Sequence, residues 1–276
     1  MDPKRKLIDS YELIVNDIVI DVSIFSDEDE PVPIYNISIT NISETTKIIL
    51  EKIREEFVVQ TTKTLEEESL ETLNIQKQFK EGILVLLKKY FPTANKKTRD
   101  MLINYILQQN IGLGNIEILL KDNYLEEIVI NNADELAWVY HRKYGWLKTN
   151  IMISDENRIR YYSTIIGRDV GKEITTLNPL MDAHLKTGDR VNATLSPISS
   201  KGNTLTIRKF AVKPWTITDF LKEKTISYEA AAFIWMAVQN ELSVIIAGGT
   251  ASGKTSMLNV VANFFPPNQR IISLED

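Results

Sequence analysis

The run Gly248-Gly249-Thr250-Ala251-Ser252-Gly253-Lys254-Thr255 fits the pattern G-x-x-x-x-G-K-[ST], and no other stretch of the chain constrains the fold as tightly. A glycine at each end lets the backbone turn tightly and aim its N–H groups at phosphate oxygens. In such a loop Lys254 reaches the β and γ phosphates, the Thr255 hydroxyl is a Mg²⁺ ligand, and Ser256 continues the cradle. The motif needs a strand before it and a helix after it. Leu242 to Ala247 is a short apolar run of the buried-strand kind. Lys254 to Phe265 contains no Gly or Pro and spaces Met257, Leu258, Val261, Phe264 and Phe265 as a helix does. That order sets an anion on a helix N-terminus, where the dipole favours it. The expected ligand is a nucleoside triphosphate with Mg²⁺; the alternative is a glycine-rich turn with no ligand.

Pro266-Pro267-Asn268 breaks the helix, and Arg270 to Leu274 reads as a second strand. Glu275 and Asp276 lie at its carboxyl end, which faces the ligand crevice in an open α/β sheet. These carboxylates either hold Mg²⁺ or a water, or they begin an exposed loop. Two strands are too few for a self-sufficient doubly wound core.

Composition removes several function classes. The chain has 276 residues, 43% hydrophobic and 25% charged, which is ordinary for a globular protein and long enough for two domains. It has no Cys, so disulfides, thiol chemistry and Cys-based zinc sites are out. The net charge of −5 argues against a general nucleic-acid binder. No stretch has the length and apolarity of a membrane span, and the charged start has no apolar core behind it, so a membrane connection is expected only through a partner.

Before the loop, residues 11–42 alternate apolar and polar around an acidic, Pro-bearing turn at Ser26 to Pro33, as a β hairpin does. Residues 43–90 read as helices with solvated faces, and 98–109 as another helix, ended by Gly112 and Gly114. Leu125 to Ile130 and Ala137 to Tyr140 read as strands around Asn131-Asn132-Ala133-Asp134. Residues 154–170 read as a helix with Ser154 as N-cap. Two alternating segments follow. If Arg190 to Leu195 and Thr204 to Arg208 pair, Arg190 and Arg208 project from one polar face. Two arginines on a common face are a natural phosphate clamp. They are equally residues of the kind that keep an exposed strand soluble. Residues 213–225 read as a linker. Ser227 caps a helix to about 240, whose Phe233 and Trp235 are expected in the core rather than as a base-stacking platform.

In order along the chain, Leu125-Glu126-Glu127-Ile128-Val129-Ile130-Asn131-Asn132, Val139 to Trp146, Asn178 to Ala183, Gly188 to Leu195, Thr206 to Phe210, the phosphate loop, and Ile272 to Asp276 resemble the type II/IV secretion ATPases, in particular their archaeal branch of pilus, archaellum and secretion motors. The resemblance covers most of 120–276. It implies an α/β protein: a mainly helical module with a β hairpin over 1–115, a PAS-like α+β domain over 116–212, and the first part of a RecA-like P-loop domain over 213–276. It implies ATP and Mg²⁺ as cofactors. It also implies a homo-hexamer at the inner face of the cytoplasmic membrane, cytoplasmic and peripheral, working with a polytopic membrane partner. By this resemblance Arg190 and Arg208 reach towards the nucleotide phosphates, and Glu275 opens an acidic box that organises Mg²⁺ or water. His184 stands where relatives often carry Arg. The family's Walker B carboxylates and histidine box are expected beyond Asp276, so the chain reads as a truncated representative with weak nucleotide binding and slow or no turnover by itself.

Two other readings stay open at this point. A P-loop DNA motor or helicase is disfavoured by the acidic composition and the lack of a basic, aromatic-lined groove. A non-enzymatic interaction protein with a vestigial loop is disfavoured by intact Lys254 and Thr255.

Overall fold

The computed structural model describes residues 5–64, 72–110, 112–210, 214–249 and 252–274, without the side chains of 58–64 and 72–78. The chain divides into two compact units, Met1–Phe210 and Ala211–Asp276.

The first unit is built on a nine-stranded sheet. Its N-terminal strands are β1 (Arg5–Val15), β2 (Ile18–Asp27) and β3 (Ile34–Ile39). Helices α1 (Glu44–Thr64), α2 (Thr72–Tyr90), α3 (Lys96–Asn110) and α4 (Asn115–Lys121) follow. Then come β4 (Leu125–Ile130), β5 (Leu136–His141), β6 (Gly145–Met152), α5 (Glu156–Asp169), β7 (Leu180–His184), β8 (Arg190–Thr194) and β9 (Thr204–Arg208). The strand order is β1-β2-β3-β6-β5-β4-β9-β8-β7. The β3–β6 pair is parallel, and it joins the N-terminal strands to the middle ones. The hairpin expected within 11–42 is present as β2 and β3. A further strand, β1, extends it; its two-residue turn, Asn16-Asp17, has positive φ at both positions (52° and 66°), the geometry that suits the twist of a hairpin.

Alternation decides which face is buried. In β2, Ile18, Ile20, Val22 and Ile24 are fully buried, and every second residue is not. The same rule runs through Ile128 and Ile130, Val191 and Ala193, and Leu205 and Ile207, so one apolar layer spans the sheet against α3, α4 and α5. A second cluster, including Ile53, Ile83, Leu87 and Leu102, closes α1, α2 and α3 on one another. Helix α5 begins one residue later than Ser154 suggests. Its N-cap is Asp155, whose carboxylate accepts from Arg158 N, and the Ser154 hydroxyl donates to that carboxylate instead.

A polar knot sits inside this layer. Asp122 is fully buried between α4 and β4. Its carboxylate accepts from Tyr11 Oη (2.5 Å), Tyr35 Oη (2.6 Å) and Tyr124 N (2.8 Å). Lys209 Nζ donates to its backbone carbonyl. Burial, then the neighbouring carboxylate, pushes both tyrosine hydroxyls well above their usual range, and burial pulls Lys209 down. Nearby, buried His141 accepts from Lys143 N through Nδ1, while its Nε2 has no partner among the described residues.

The second unit holds α6 (Ile217–Lys222), α7 (Tyr228–Gln239) and α8 (Lys254–Ala262) among its described residues. Residues 213–225 were expected to be a linker, yet α6 forms there on a capping box between Thr216 and Asp219. Ser227 caps α7, as its sequence indicates. The two apolar runs around the loop differ from expectation. Neither 242–247 nor 270–274 pairs in a ladder among the described residues, and Ile245 and Leu274 are 92% and 95% exposed. Two short runs offer each other too little burial to offset the entropy of ordering them. Phe233 and Trp235, expected in the core, are instead 64% and 55% exposed on α7, with Trp235 stacked on Phe264 at 5.9 Å.

Removing one of its three donors leaves the buried Asp122 carboxylate one hydrogen bond short. Tyr35→Phe is expected to cost about 2 kcal/mol, read as a shift of the urea unfolding midpoint; an unchanged midpoint refutes the knot's importance.

Burial holds the His141 imidazole below its usual range of 6.5, against smaller opposing effects of Asp122 and Asp9 and alongside those of Lys143 and Arg142. The unfolded chain therefore takes up this proton first. Its contribution to stability is complete above pH 6.5 and is lost as pH falls below that value. Thermal unfolding across this range is expected to flatten in His141→Phe relative to wild type.

Candidate functional site: a phosphate-binding loop and a paired-arginine sheet face

The loop in the second unit is shaped by its two terminal glycines for different reasons. A Cβ at Gly248 would meet Ser252 Oγ at 2.6 Å, so the serine hydroxyl would have to turn away to admit it. Gly253 is the N-cap of α8 and is left-handed, with φ of 86°, where side chains are strained. Gly249 has open space around its Cβ direction. Lys254 is the first residue of α8, and its Nζ donates to the Gly249 carbonyl across the loop. The ammonium is thus held over the bend made by Gly248 and Gly249 instead of extending into solvent. Thr255 is exposed and Ser256 half-buried in the first turn of the same helix. The expected donors are therefore gathered on a left-handed turn and a helix start, a chemistry that suits phosphate and its Mg²⁺. Thr250, Ala251, Glu275 and Asp276 lie outside the described residues.

The arginines sit in the first unit. Strands β8 and β9 pair antiparallel, with Arg190 directly opposite Arg208. The row continues sideways: Arg208 also faces Glu127 on β4, and Arg190 faces His184 on β7. Residues opposite one another point to the same side of a sheet. Glu127, Arg208, Arg190 and His184 therefore share one face, with Arg208, Arg190 and His184 exposed, while Val191, Ala193, Leu205 and Ile207 fill the other.

Asp182, which sequence reasoning had not singled out, lies on this same face beside Arg190. Its carboxylate meets Arg190 Nη2 at 2.8 Å and Nε at 3.2 Å. The guanidinium holds the Asp182 carboxyl below its usual range. Period-2 spacing from His184 was the available signal, since residues two apart on one strand share a face.

The turn from β8 to β9 is fixed from below. Glu156, in the first turn of α5, accepts from Ala133 N (2.7 Å) and Asn203 N (2.5 Å), and Asn203 Nδ2 donates back to the Glu156 carbonyl. Asn203 Oδ1 then accepts from Ser196 N at 2.8 Å. One carboxylate thereby pins the loops after β4 and before β9, and with them the register that brings Arg190 opposite Arg208. Glu156→Ala would leave two backbone N–H groups without acceptors and is expected to cost about 2 kcal/mol, measured by urea unfolding.

A mixed α/β chain with a phosphate-type loop and a paired-arginine sheet face defines a class of nucleotide-binding candidate. Comparison with known proteins makes the assignment sharper. A family model described as Type II/IV secretion system protein matches residues 112–276, more than half of the sequence, and the chain belongs to that family. Uncharacterized protein MJ0781 of Methanocaldococcus jannaschii is 41% identical over 169 residues, covering 59% of this chain and 23% of that protein. Type IV secretion system protein PtlH of Bordetella pertussis is 27% identical over 174 residues, 55% of this chain and 50% of PtlH. Among solved structures, the VirB11 ATPase from the Brucella suis type IV secretion system, in complex with sulphate, is 20% identical. It covers 61% of this chain and 56% of its own at a TM-score of 0.37, too low to support an argument. The chain therefore spans about a quarter to a half of these curated relatives' length.

Proposed function

We propose that this chain is an ATP-binding part of a motor subunit in a type II/IV secretion or type IV pilus and archaellum-type assembly system. The observation that carries the reading is the loop itself: Gly253 left-handed at the start of α8, Gly248 packed against Ser252, and Lys254 held over the bend. Family membership over 112–276 supports it.

In this reading the backbone N–H groups of Gly248 to Ser256 and the Lys254 ammonium hold the triphosphate, and Thr255 is the Mg²⁺ ligand. Bound Mg²⁺ supplies charge neutralisation on the phosphates. Arg190 and Arg208 add positive charge from the sheet face. Glu275 orders Mg²⁺ or water at the carboxyl end of the following segment. Little covalent chemistry falls to the protein, so positioning and electrostatics carry the rate. The domain layout of 1–115, 116–212 and a RecA-like 213–276 is part of the proposal. So are a hexameric assembly, a polytopic membrane partner, and a cytoplasmic location peripheral to the membrane. No described helix is long and apolar enough to cross a bilayer, which is compatible with that arrangement.

The test is equilibrium titration with a fluorescent ATP analogue in excess Mg²⁺. Weak, saturable binding is expected, falling by about tenfold or more in Lys254→Ala. Equal binding by both proteins overturns the reading.

A further inference from the structure

We propose that His141 is a proton-operated latch within the first unit: neutral, it closes the β5–β6 turn, which holds the edge strand β1, and on taking up a proton it releases both.

The latch follows from which nitrogen is free. His141 is buried at the end of β5, and its Nδ1 accepts from Lys143 N at 3.1 Å inside the turn. A neutral imidazole has one acceptor nitrogen and one N–H. With Nδ1 accepting, the proton sits on Nε2, which is buried without a partner among the described residues. A second proton can add only at Nδ1, where it would point at the Lys143 N–H. Protonation and the turn's hydrogen bond therefore exclude each other. Burial alone would only make the ring resist a proton; this geometry makes the proton break a particular backbone contact.

The turn in turn holds β1. Tyr144 Oη donates to Asp9 Oδ2 at 2.7 Å, and Lys143 Nζ stands 3.8 Å from the same oxygen. Strand β1 ends the strand order and has β2 as its one ladder partner. Asp9 lies where that ladder is weakest, at the register shift between Leu7 and Asp9. Arg142 N donates to the Tyr124 carbonyl at 2.9 Å, so the β4 side of the turn stays fixed when the Lys143 side opens.

The surrounding charges give the imidazolium no free partner. Asp122 and Asp9 attract the proton, and Lys143 and Arg142 repel it. Asp122 already takes Tyr11, Tyr35 and Tyr124 N, with the Lys209 ammonium on its backbone carbonyl. Arg142 is paired with Glu126 at 3.2 Å. Asp9 is engaged by the turn itself, so an imidazolium that reaches it displaces Tyr144 and Lys143. The ring's other neighbours are aromatic faces, Tyr124 stacked at 5.8 Å and Tyr144 tilted at 4.9 Å.

The experiment is done on the full chain, in two parts. Nitrogen-15 NMR of the imidazoles reads the tautomer directly, and the chain has only two histidines to tell apart. Well above pH 6.5, His141 is expected to carry its proton on Nε2. Amide hydrogen exchange, corrected for the intrinsic effect of pH, is then followed from above to below that value. Opening coupled to one proton should raise exchange of segments 5–11 and 141–146 by about tenfold per pH unit below the unfolded value, with no change above it. Helices α1 to α3 should keep their protection. His141→Asn places an amide oxygen where Nδ1 stands and cannot titrate, so its exchange should not respond to acid. If that variant fails to fold, Tyr144→Phe replaces it: segment 5–11 should be less protected at every pH, while the turn still opens in acid. A proton on Nδ1 well above pH 6.5 overturns the proposal. So does protection of the two segments that is unchanged by acid, or a loss spread evenly over the whole first unit.

Discussion

One buried carboxylate holds the first unit together. Asp122 accepts from hydroxyls on β1 and β3 and from the backbone entering β4, and its own carbonyl takes the Lys209 ammonium just past β9. Elements from both halves of the sheet order therefore meet at one residue that is closed to water. A charge in that position is tolerable only when its acceptors are filled, so the N-terminal strands cannot leave without exposing an unpaired carboxylate. The apolar layer supplies most of the driving force for collapse. The knot supplies the condition that only one arrangement of strands satisfies. Through the Lys209 ammonium it also ties down the last residues of the unit, where Lys209 N donates to the Glu126 carbonyl and Phe210 N to the Asp189 carboxylate.

The sheet then acts as a ruler for the candidate site. Because side chains alternate, burying Val191, Ala193, Leu205 and Ile207 obliges Arg190, Asn192, Thr206 and Arg208 to face outward. Register sets which of them meet. Glu156 controls that register through the loops it pins, so a residue on a helix beneath the sheet decides that two arginines stand opposite each other. Asp182 pairs with one of the two guanidiniums on that face.

The phosphate-type loop obeys different physics. Its shape is local: a close approach at Gly248, a left-handed Gly253, and a helix start at Lys254. None of these needs a sheet. The runs on either side do, and they stay mostly solvated, with no ladder among the described residues. The described part of the loop thus keeps its geometry although 242–247 and 270–274 pair in no ladder among the described residues.

Features whose cause lies within a few residues are legible in the sequence, and the loop motif is the clearest of them. The caps of α6 and α7 mark the limit of that legibility. Ser227 stands out because cap and periodic helix occur together, whereas Thr216 opens a helix too short to show periodic apolar residues. The alternation of β8 and β9 is legible too, and with it the shared face of Arg190 and Arg208. The family follows from segments in order. The tertiary structure alone decided the rest. Asp122 and Tyr11 are 111 residues apart, and Glu156 and Asn203 are 47 apart. Nothing in local propensity marks such partners, because a buried carboxylate and a solvated one look alike until the chain closes around them. The same holds for the runs at 242–247 and 270–274: their composition specifies a strand, but a strand exists only when another backbone is there to take its hydrogen bonds.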